Sequence, residues 1–325
     1  MTHTPKVSVI IPTHNRAALL RETVASVQAQ TITDWELLIV NDGSTDETEA
    51  VGESLAQGDA RIRYIGQANQ GLSATRNRAI RMARGAFVAF LDDDDRWEPH
   101  KLERQLAVLE HDPGVGLVTC RAWIINETGK VVGQGEDYEG EPTFQRLVDT
   151  GCVANSPSSV LMRRACFDRV GVFDTRYLAG DYELYLRLAL AYRLVFIREP
   201  LYFYRVHQAN MSGRIDFLWH EHIRILQELR PSPSHGVTKA DIRAGCLKVQ
   251  RFHYALAMKA MEESRYRDAA RIFLDAICLD PLIGLKLPWS RYRNPIYRTL
   301  RPYVSGVRCG VAALCGRPAR SGATA

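Results

Sequence analysis

The residues best suited to chemistry are Asp92-Asp93-Asp94-Asp95, four consecutive carboxylates that follow the apolar run AFVAFL at 86–91. Adjacent carboxylates repel one another, and the end of a buried strand is a poor place for them unless a cation compensates. Mg2+ and Mn2+ take hard oxygen ligands, often one or two carboxylates with phosphate oxygens completing the shell. If the run is extended, alternation places Asp92 and Asp94 on one side and Asp93 and Asp95 on the other. Asp92 and Asp94 are then the candidate ligands, while Asp93 and Asp95 shape a turn or cap the helix expected near Pro99. A plain capping turn needs only one Asp.

Four further places carry candidate groups, each with two readings. Asn41-Asp42-Gly43-Ser44 is favourable turn chemistry, or Asp42 accepts an N–H from a nucleotide base. Arg76, in the first turns of a helix opened by Gly71, is a surface arginine or an anion ligand beside a helix N-terminus. Asp181 and Glu183 open an apolar helix at 182–192, where an acidic residue is a dipole partner; Asp181 is otherwise a general base for a hydroxyl. His207, in Tyr204-Arg205-Val206-His207, is a structural histidine or a metal ligand.

These groups must be positioned by elements, and the first 120 residues alternate strand with helix. Val7-Ser8-Val9-Ile10-Ile11, closed by Pro12, reads as a buried strand. Residues 17–30 have helical spacing, and WELLIV (35–40) is a second apolar strand. A helix starts near Asp46, with Thr45 or Asp46 as its cap. A strand at 61–65, a helix at 72–83 and a strand at 86–91 follow. Apolar strands separated by helices imply an α/β fold with a mostly parallel sheet covered on both faces. Ligands bind beyond the carboxyl ends of such strands. Pro12-Thr13-His14-Asn15, the Asp42 turn and the aspartate run all lie at those ends and should converge. Further strands are expected at 115–119, 122–125 and 158–162. From about 215 the chain reads as helical, and 254–281 resembles one tetratricopeptide-type hairpin, a weak single match.

The 325-residue chain has a formal charge of only +5, which does not suggest a nucleic-acid binder. Seven cysteines without a Cys-x-x-Cys pair argue against a disulfide framework and a zinc knuckle, and fit a reducing, cytoplasmic setting. No window approaches a membrane span. After Asp280, however, there are no acidic residues, while Lys286 and the arginines from Arg291 to Arg320 remain. A basic tail mixed with Leu, Ile, Trp289 and Tyr suits peripheral contact with an anionic membrane surface, or is a helical cap with a solvated face.

Taken together, VSVIIPTHNR (7–16), WELLIVNDGSTDET (35–48), NQGLSATRNRAI (69–80), FLDDDDRWEPHKL (90–102), SSVLMRRACFDRVGVFD (158–174), GDYELYLRLA (180–189) and LYFYRVHQANMS (201–212) resemble the family 2 glycosyltransferases. The resemblance covers roughly residues 5 to 212. It implies the GT-A fold, with a catalytic domain over 1–214, a nucleotide-sugar half at about 1–112, an acceptor half at 113–214 and a helical C-terminal region at 215–325. It further implies an inverting hexosyl-type transfer from a nucleotide-diphosphate sugar, a UDP-sugar by preference. The acceptor would be a hydroxyl of a glycan or lipid-linked molecule in cell-surface polysaccharide synthesis, with Mn2+ or Mg2+ as cofactor. Pro12, Thr13, Asn15, Asp42 and Arg76 would bind the nucleotide, Asp92 or Asp93 would lie nearer the ribose, and Asp92 and Asp94 form the DxD pair. Asp94 is the expected direct metal ligand, His207 lies near the metal or diphosphate, and Asp181 is the base. Gly180 departs from the family's usual Glu, which puts the acceptor-side geometry in question. Two rivals stand beside this reading. A metal-dependent nucleotidyltransferase lacks its Gly-rich signature between Ile10 and Arg21. A non-catalytic scaffold presenting a helical tail sits poorly with an intact acidic run and Asp181. A dinucleotide oxidoreductase is weaker still, because no Gly-x-Gly-x-x-Gly follows the first strand.

Overall fold

A computed structural model describes residues 3–150 and 156–207, with a few positions between 221 and 238. The chain opens with β1 (Val7–Thr13), α1 (Ala17–Gln28), β2 (Trp35–Asp42), α2 (Thr48–Gly58), β3 (Ile62–Gln67), α3 (Leu72–Met82) and β4 (Phe87–Phe90). Every residue of β1, β2 and β4 is buried, as strands covered on both faces require. Pairing is parallel in the order β3-β2-β1-β4. β4 leaves its ladder with β1 at Phe90 opposite Ile10, so Pro12, which has no N–H, lies beyond that ladder. On α1, Leu20, Thr23, Val24 and Val27 form one buried stripe that packs with Val7, Val9 and Ile11.

The second half extends the same sheet. It contains β5 (Arg96–Trp97), α4 (Lys101–His111), β6 (Val115–Ile125), β7 (Val131–Gln134), α5 (Phe144–Thr150), a 3-10 turn at Pro157–Ser159, β8 (Leu161–Arg163), α6 (Cys166–Val170), α7 (Gly180–Ala191) and β9 (Arg193–Arg205). The described strands form one sheet in the order β3-β2-β1-β4-β8-β6-β9-β5, with β7 beside β6. β8 runs antiparallel to both β4 and β6, whereas β6 and β9 are parallel.

Three expectations change at this level. The strands expected at 115–119 and 122–125 are one strand, β6, and the break between them survives as a register shift against β9 around Cys120 and Arg121. The strand expected at 158–162 begins instead as the turn Pro157–Ser159, because Ser156 caps it by accepting the Ser158 N–H on Oγ. The long strand β9 contains Pro200 and has no clean alternation, so its sequence carries no alternating strand signal. Among the described residues no helix is long and apolar enough to cross a membrane. The hairpin-like stretch at 254–281 and the basic tail lie outside the described residues.

Candidate active site

The aspartate run is a β-turn rather than an extended segment. Asp95 N–H donates to Asp92 O at 3.1 Å, and Asp93 and Asp94 sit at the corner. Simple alternation therefore fails, and each of the four carboxylates faces its own surroundings. Asp92 Oδ1 accepts from Arg76 Nη2 at 2.6 Å, and its Oδ2 accepts from Ser156 Oγ at 3.0 Å. Asp94 Oδ2 lies 2.9 Å from His207 Nε2. Asp95, only 1% exposed, takes the Arg205 N–H at 2.9 Å and the Ser156 hydroxyl at 3.2 Å. Asp93 accepts the His14 N–H at 3.3 Å. Burial, with the Asp94 charge beside it, pushes Asp93 up to about 7; burial with Asp94 and Asp92 drives Asp95 well above the carboxylate range.

This turn is clamped from four elements. From α1, Thr23 donates its hydroxyl to the carbonyls of Asp93 and Asp95, at 3.0 Å in each case. From the 3-10 turn, Ser158 Oγ accepts the Asp92 N–H at 3.0 Å, and Ser158 O accepts Trp97 Nε1 at 2.8 Å. From β9, Arg205 donates to Asp94 O at 2.8 Å and to Glu22 Oε2 at 2.8 Å. From the loop after β1, the Arg16 guanidinium stands 3.9 Å from both Asp93 and Asp94. Sequence reading passed over Ser156, Ser158 and Arg205. Arg205 had a signal: it precedes His207 by two residues, the repeat that keeps strand residues on one side.

The first two polar strand ends are stitched to each other. Asn15 adopts φ +53, a left-handed conformation that Asn tolerates. Its N–H donates to Ser44 Oγ at 2.8 Å, and its Oδ1 accepts the Thr45 N–H at 2.7 Å. Asp46 accepts N–H groups from Ala17 and Thr48, so one carboxylate serves the starts of α1 and α2. Asp42 holds the loop before α3: it accepts from Gln67 Nε2 and Gln70 N at 2.8 Å and from Gly71 N at 2.9 Å. Burial opposes ionisation of Asp42, yet these donors together hold it below the usual carboxylate range. The Thr75 hydroxyl acts on the same carboxylate, so donors surround it. Gly71, at φ +86, supplies the backbone conformation that lets its N–H reach Asp42.

Arg76 is 4% exposed, and its Nε–H has no hydrogen-bond partner among the described residues; the buried Thr13 hydroxyl stands beside Asp93 and favours its ionised form. Asp181 lies in the first turn of α7, its Oδ1 accepting the Tyr182 N–H at 2.9 Å. Burial raises its carboxyl above the usual range although Arg76 pulls it down, and Asp92 adds to the rise. Asp181 therefore feels the same Arg76–Asp92 pair that flanks the aspartate turn. Glu183 is bound by Arg187 through two bonds of 2.6 Å, and Arg187 continues to the carbonyls of Val170 and Val172. Its role is structural. At Gly180 a Cβ would stand 2.9 Å from Ser73 Oγ, so the departure at this position matches the packing of α7 against α3.

A family model described as Glycosyl transferase family 2 matches residues 8–171, half of the chain. The chain belongs to glycosyl transferase family 2. It is 30% identical over 221 residues to EpsH of Bacillus subtilis, a match covering 65% of this chain and 64% of EpsH. To a chondroitin synthase of Escherichia coli it is 29% identical over 225 residues, 69% of this chain but 32% of the synthase. The chain thus spans less than two-thirds of either relative. A crystal structure of Staphylococcus aureus TarS 1–349 with UDP-GlcNAc superposes with TM-score 0.61 at 22% identity, over 85% of this chain and 83% of that one. The Pyrobaculum calidifontis mannosyltransferase PcManGT, solved with GDP-Man and Mn2+, gives TM-score 0.56 at 18% identity, over 90% and 89%. At these identities the structures establish the fold, which is the GT-A-like α/β arrangement.

The metal set expected for this family 2 chain is only partly assembled. Among the described residues no three His, Cys, Asp or Glu side chains gather as a cage. Asp92 is drawn to Arg76 and Ser156, leaving Asp94 and His207 as the pair. Asp94 Oδ2 and His207 Nε2 are hydrogen-bonded to each other at 2.9 Å, which sets the two side chains side by side at the turn. A carboxylate and an imidazole so placed fit Mn2+ or Mg2+, with phosphate oxygens and water filling the remaining positions.

Proposed function

We propose that this chain is an inverting glycosyltransferase that moves a sugar from a nucleotide-diphosphate donor, by preference a UDP-sugar, to a hydroxyl of a glycan or lipid-linked acceptor. The carrying observation is the Asp94–His207 pair, set on the same turn as the Arg76–Asp92 pair whose charges act on Asp181. In this reading, Pro12, Thr13 and Asn15 form the wall of the base and ribose pocket. Asp42 faces the base, and the Arg76 Nε–H is directed to the nucleotide. Asp92 and Asp93 lie toward the ribose, and Asp94 with His207 holds the divalent cation. A bound Mn2+ or Mg2+ supplies Lewis-acid stabilisation of the departing nucleoside diphosphate. Asp181 receives the acceptor hydroxyl proton as that oxygen attacks the anomeric carbon from the opposite face. Burial raises its pKa above the usual carboxylate range, and a raised pKa makes it a stronger base.

Family membership supports sugar transfer, and the complexes of TarS with UDP-GlcNAc and PcManGT with GDP-Man and Mn2+ support a nucleotide-sugar donor and a divalent metal. The chondroitin synthase relative supports a polysaccharide product, in keeping with a role in cell-surface polysaccharide synthesis. The acceptor would approach over the half built from 113–214. Peripheral contact with the cytoplasmic face of the membrane through the basic tail is part of the same reading, motivated by the loss of acidic residues after Asp280. A hydrolysis and binding screen across UDP- and GDP-sugars, each with Mn2+ and with Mg2+, tests it. No metal-dependent binding or turnover with any donor would refute the reading.

A further inference from the structure

Residues beyond 214 converge on the short stretch that leads into Asp181. Glu221, 8% exposed, accepts the Ala179 N–H on Oε2 at 2.6 Å. The His222 ring lies against Tyr182, with centroids 4.0 Å apart. Glu228 Oε2 accepts the Tyr177 hydroxyl at 2.5 Å and Arg176 Nη1 at 3.1 Å. Ile225 and Leu226, 1% and 0% exposed, show that this face is packed and not merely touching.

The position of these contacts gives them meaning. Asp181 is the second residue of α7, so its carboxyl is placed by the conformation of 174–180 and by the first helical turn. The N–H groups of a helix start have no intrahelical partner. At α7 the capping residue Ala179 makes no side-chain cap of its own, and Glu221 brings an acceptor and a negative charge to the positive helix end. Gly180 offers no side chain for the task. On the opposite flank, α3 grips the same stretch: Asn77 donates to Phe173 O at 2.8 Å and accepts the Phe173 N–H at 3.0 Å. The approach to Asp181 is therefore fixed at one end by α3 and at the other by a segment downstream of the family match.

We propose that Glu221 is a positioning residue for Asp181, and that the catalytic unit of this chain extends through Leu229 rather than ending at 214. This rests on the reading of Asp181 as the base. The test uses the full chain with Glu221→Ala, Glu221→Gln and, in parallel, Asp181→Asn. The probes are Mn2+-dependent hydrolysis of UDP-GlcNAc, UDP-glucose and GDP-mannose, UDP binding by calorimetry, and amide hydrogen exchange over 174–182. Glu221→Ala is expected to speed exchange in that peptide at least tenfold and to lower kcat at least tenfold, with the UDP Kd within twofold of wild type. Glu221→Gln keeps an oxygen acceptor and is expected to recover both to within threefold. Asp181→Asn should lose turnover while keeping wild-type exchange. Unchanged exchange in Glu221→Ala overturns the proposal, as does faster exchange with an unchanged kcat, or a Gln variant as impaired as Ala. If wild type hydrolyses none of the probes, the exchange comparison decides. Full turnover by Asp181→Asn overturns the base reading, and with it the catalytic meaning of Glu221, whatever Glu221→Ala does.

Discussion

Two residues with the same side chain, three positions apart in one turn, illustrate how environment sets role. Asp92 is tied by Arg76 and Ser156, whereas Asp95 is buried against Ser156 and the Arg205 backbone. Between them, Asp94 alone meets an imidazole. Removing its carboxylate should therefore cost more than the ~10–100-fold typical of an outer-shell change around a metal. Asp94→Ala is expected to abolish Mn2+-dependent UDP binding in calorimetry and sugar transfer with it; unimpaired turnover would sink the metal assignment. Asp181→Asn should behave differently. It retains shape but cannot take a proton, so kcat should fall roughly 10²–10⁴-fold, with UDP binding unchanged by the same calorimetric measurement.

At the scale of elements, residues 1–112 and 113–207 are joined by side chain-to-backbone bonds rather than by apolar contact alone. The turn Pro157–Ser159 holds the aspartates from one direction and β6 from another, since Ser159 Oγ shares a hydrogen with Thr119 at 2.8 Å and Ser159 O accepts Gln105 Nε2 at 2.7 Å. Asn77 on α3 hydrogen-bonds the backbone of the loop before α7, and Arg76 beside it stands over the Phe173 ring. Asn77→Ala would strip partners from the buried N–H and C=O of Phe173, at roughly 1–3 kcal/mol for each group left unsatisfied. A lower urea midpoint with an unchanged slope is the expected result, accompanied by loss of kcat because the same loop leads into the first turn of α7, where Asp181 sits. A midpoint equal to wild type would show that the tie does not contribute to stability.

At the scale of the molecule, Lys101 makes stability depend on pH. It is 0% exposed, with Nζ 4.2 Å from the Trp97 ring centroid, and donates to Gln105 Oε1 at 2.7 Å. Burial lowers its pKa from 10.5 to about 8, against a small opposing effect of Cys120. Between those values the unfolded chain binds more protons than the folded one, so stability should rise as pH increases from about 8 to 10.5. The rise should be of order 3 kcal/mol at ~1.4 kcal/mol per pKa unit. Lys101→Met should flatten that part of a melting-temperature profile; a profile parallel to wild type would count against a neutral buried lysine. For the tail, a chain truncated after Asp280 is expected to lose binding to anionic vesicles in a flotation assay, and equal flotation of both chains would remove the membrane reading.

The α/β class, a mostly parallel sheet and the placing of polar clusters at strand ends were legible in the sequence, whereas the strand order β3-β2-β1-β4 came only with the structure. Continuous apolar strands followed by helices admit few other arrangements. The candidate residues were legible too, because a run of four Asp, an Arg in a first helical turn and a Tyr-Arg-Val-His segment stand out by type and spacing. Their partners were not. That Asp92 turns to Arg76, Asp94 to His207 and Asp95 inward depends on a β-turn and on Ser156, Ser158 and Arg205, which lie 61 to 111 residues away along the chain. Sequence fixes local periodicity and chemistry. Which carboxylate is compensated by a guanidinium, which by an imidazole and which by burial against hydroxyls is a long-range matter, decided only when the sheet brings β4, β8 and β9 together.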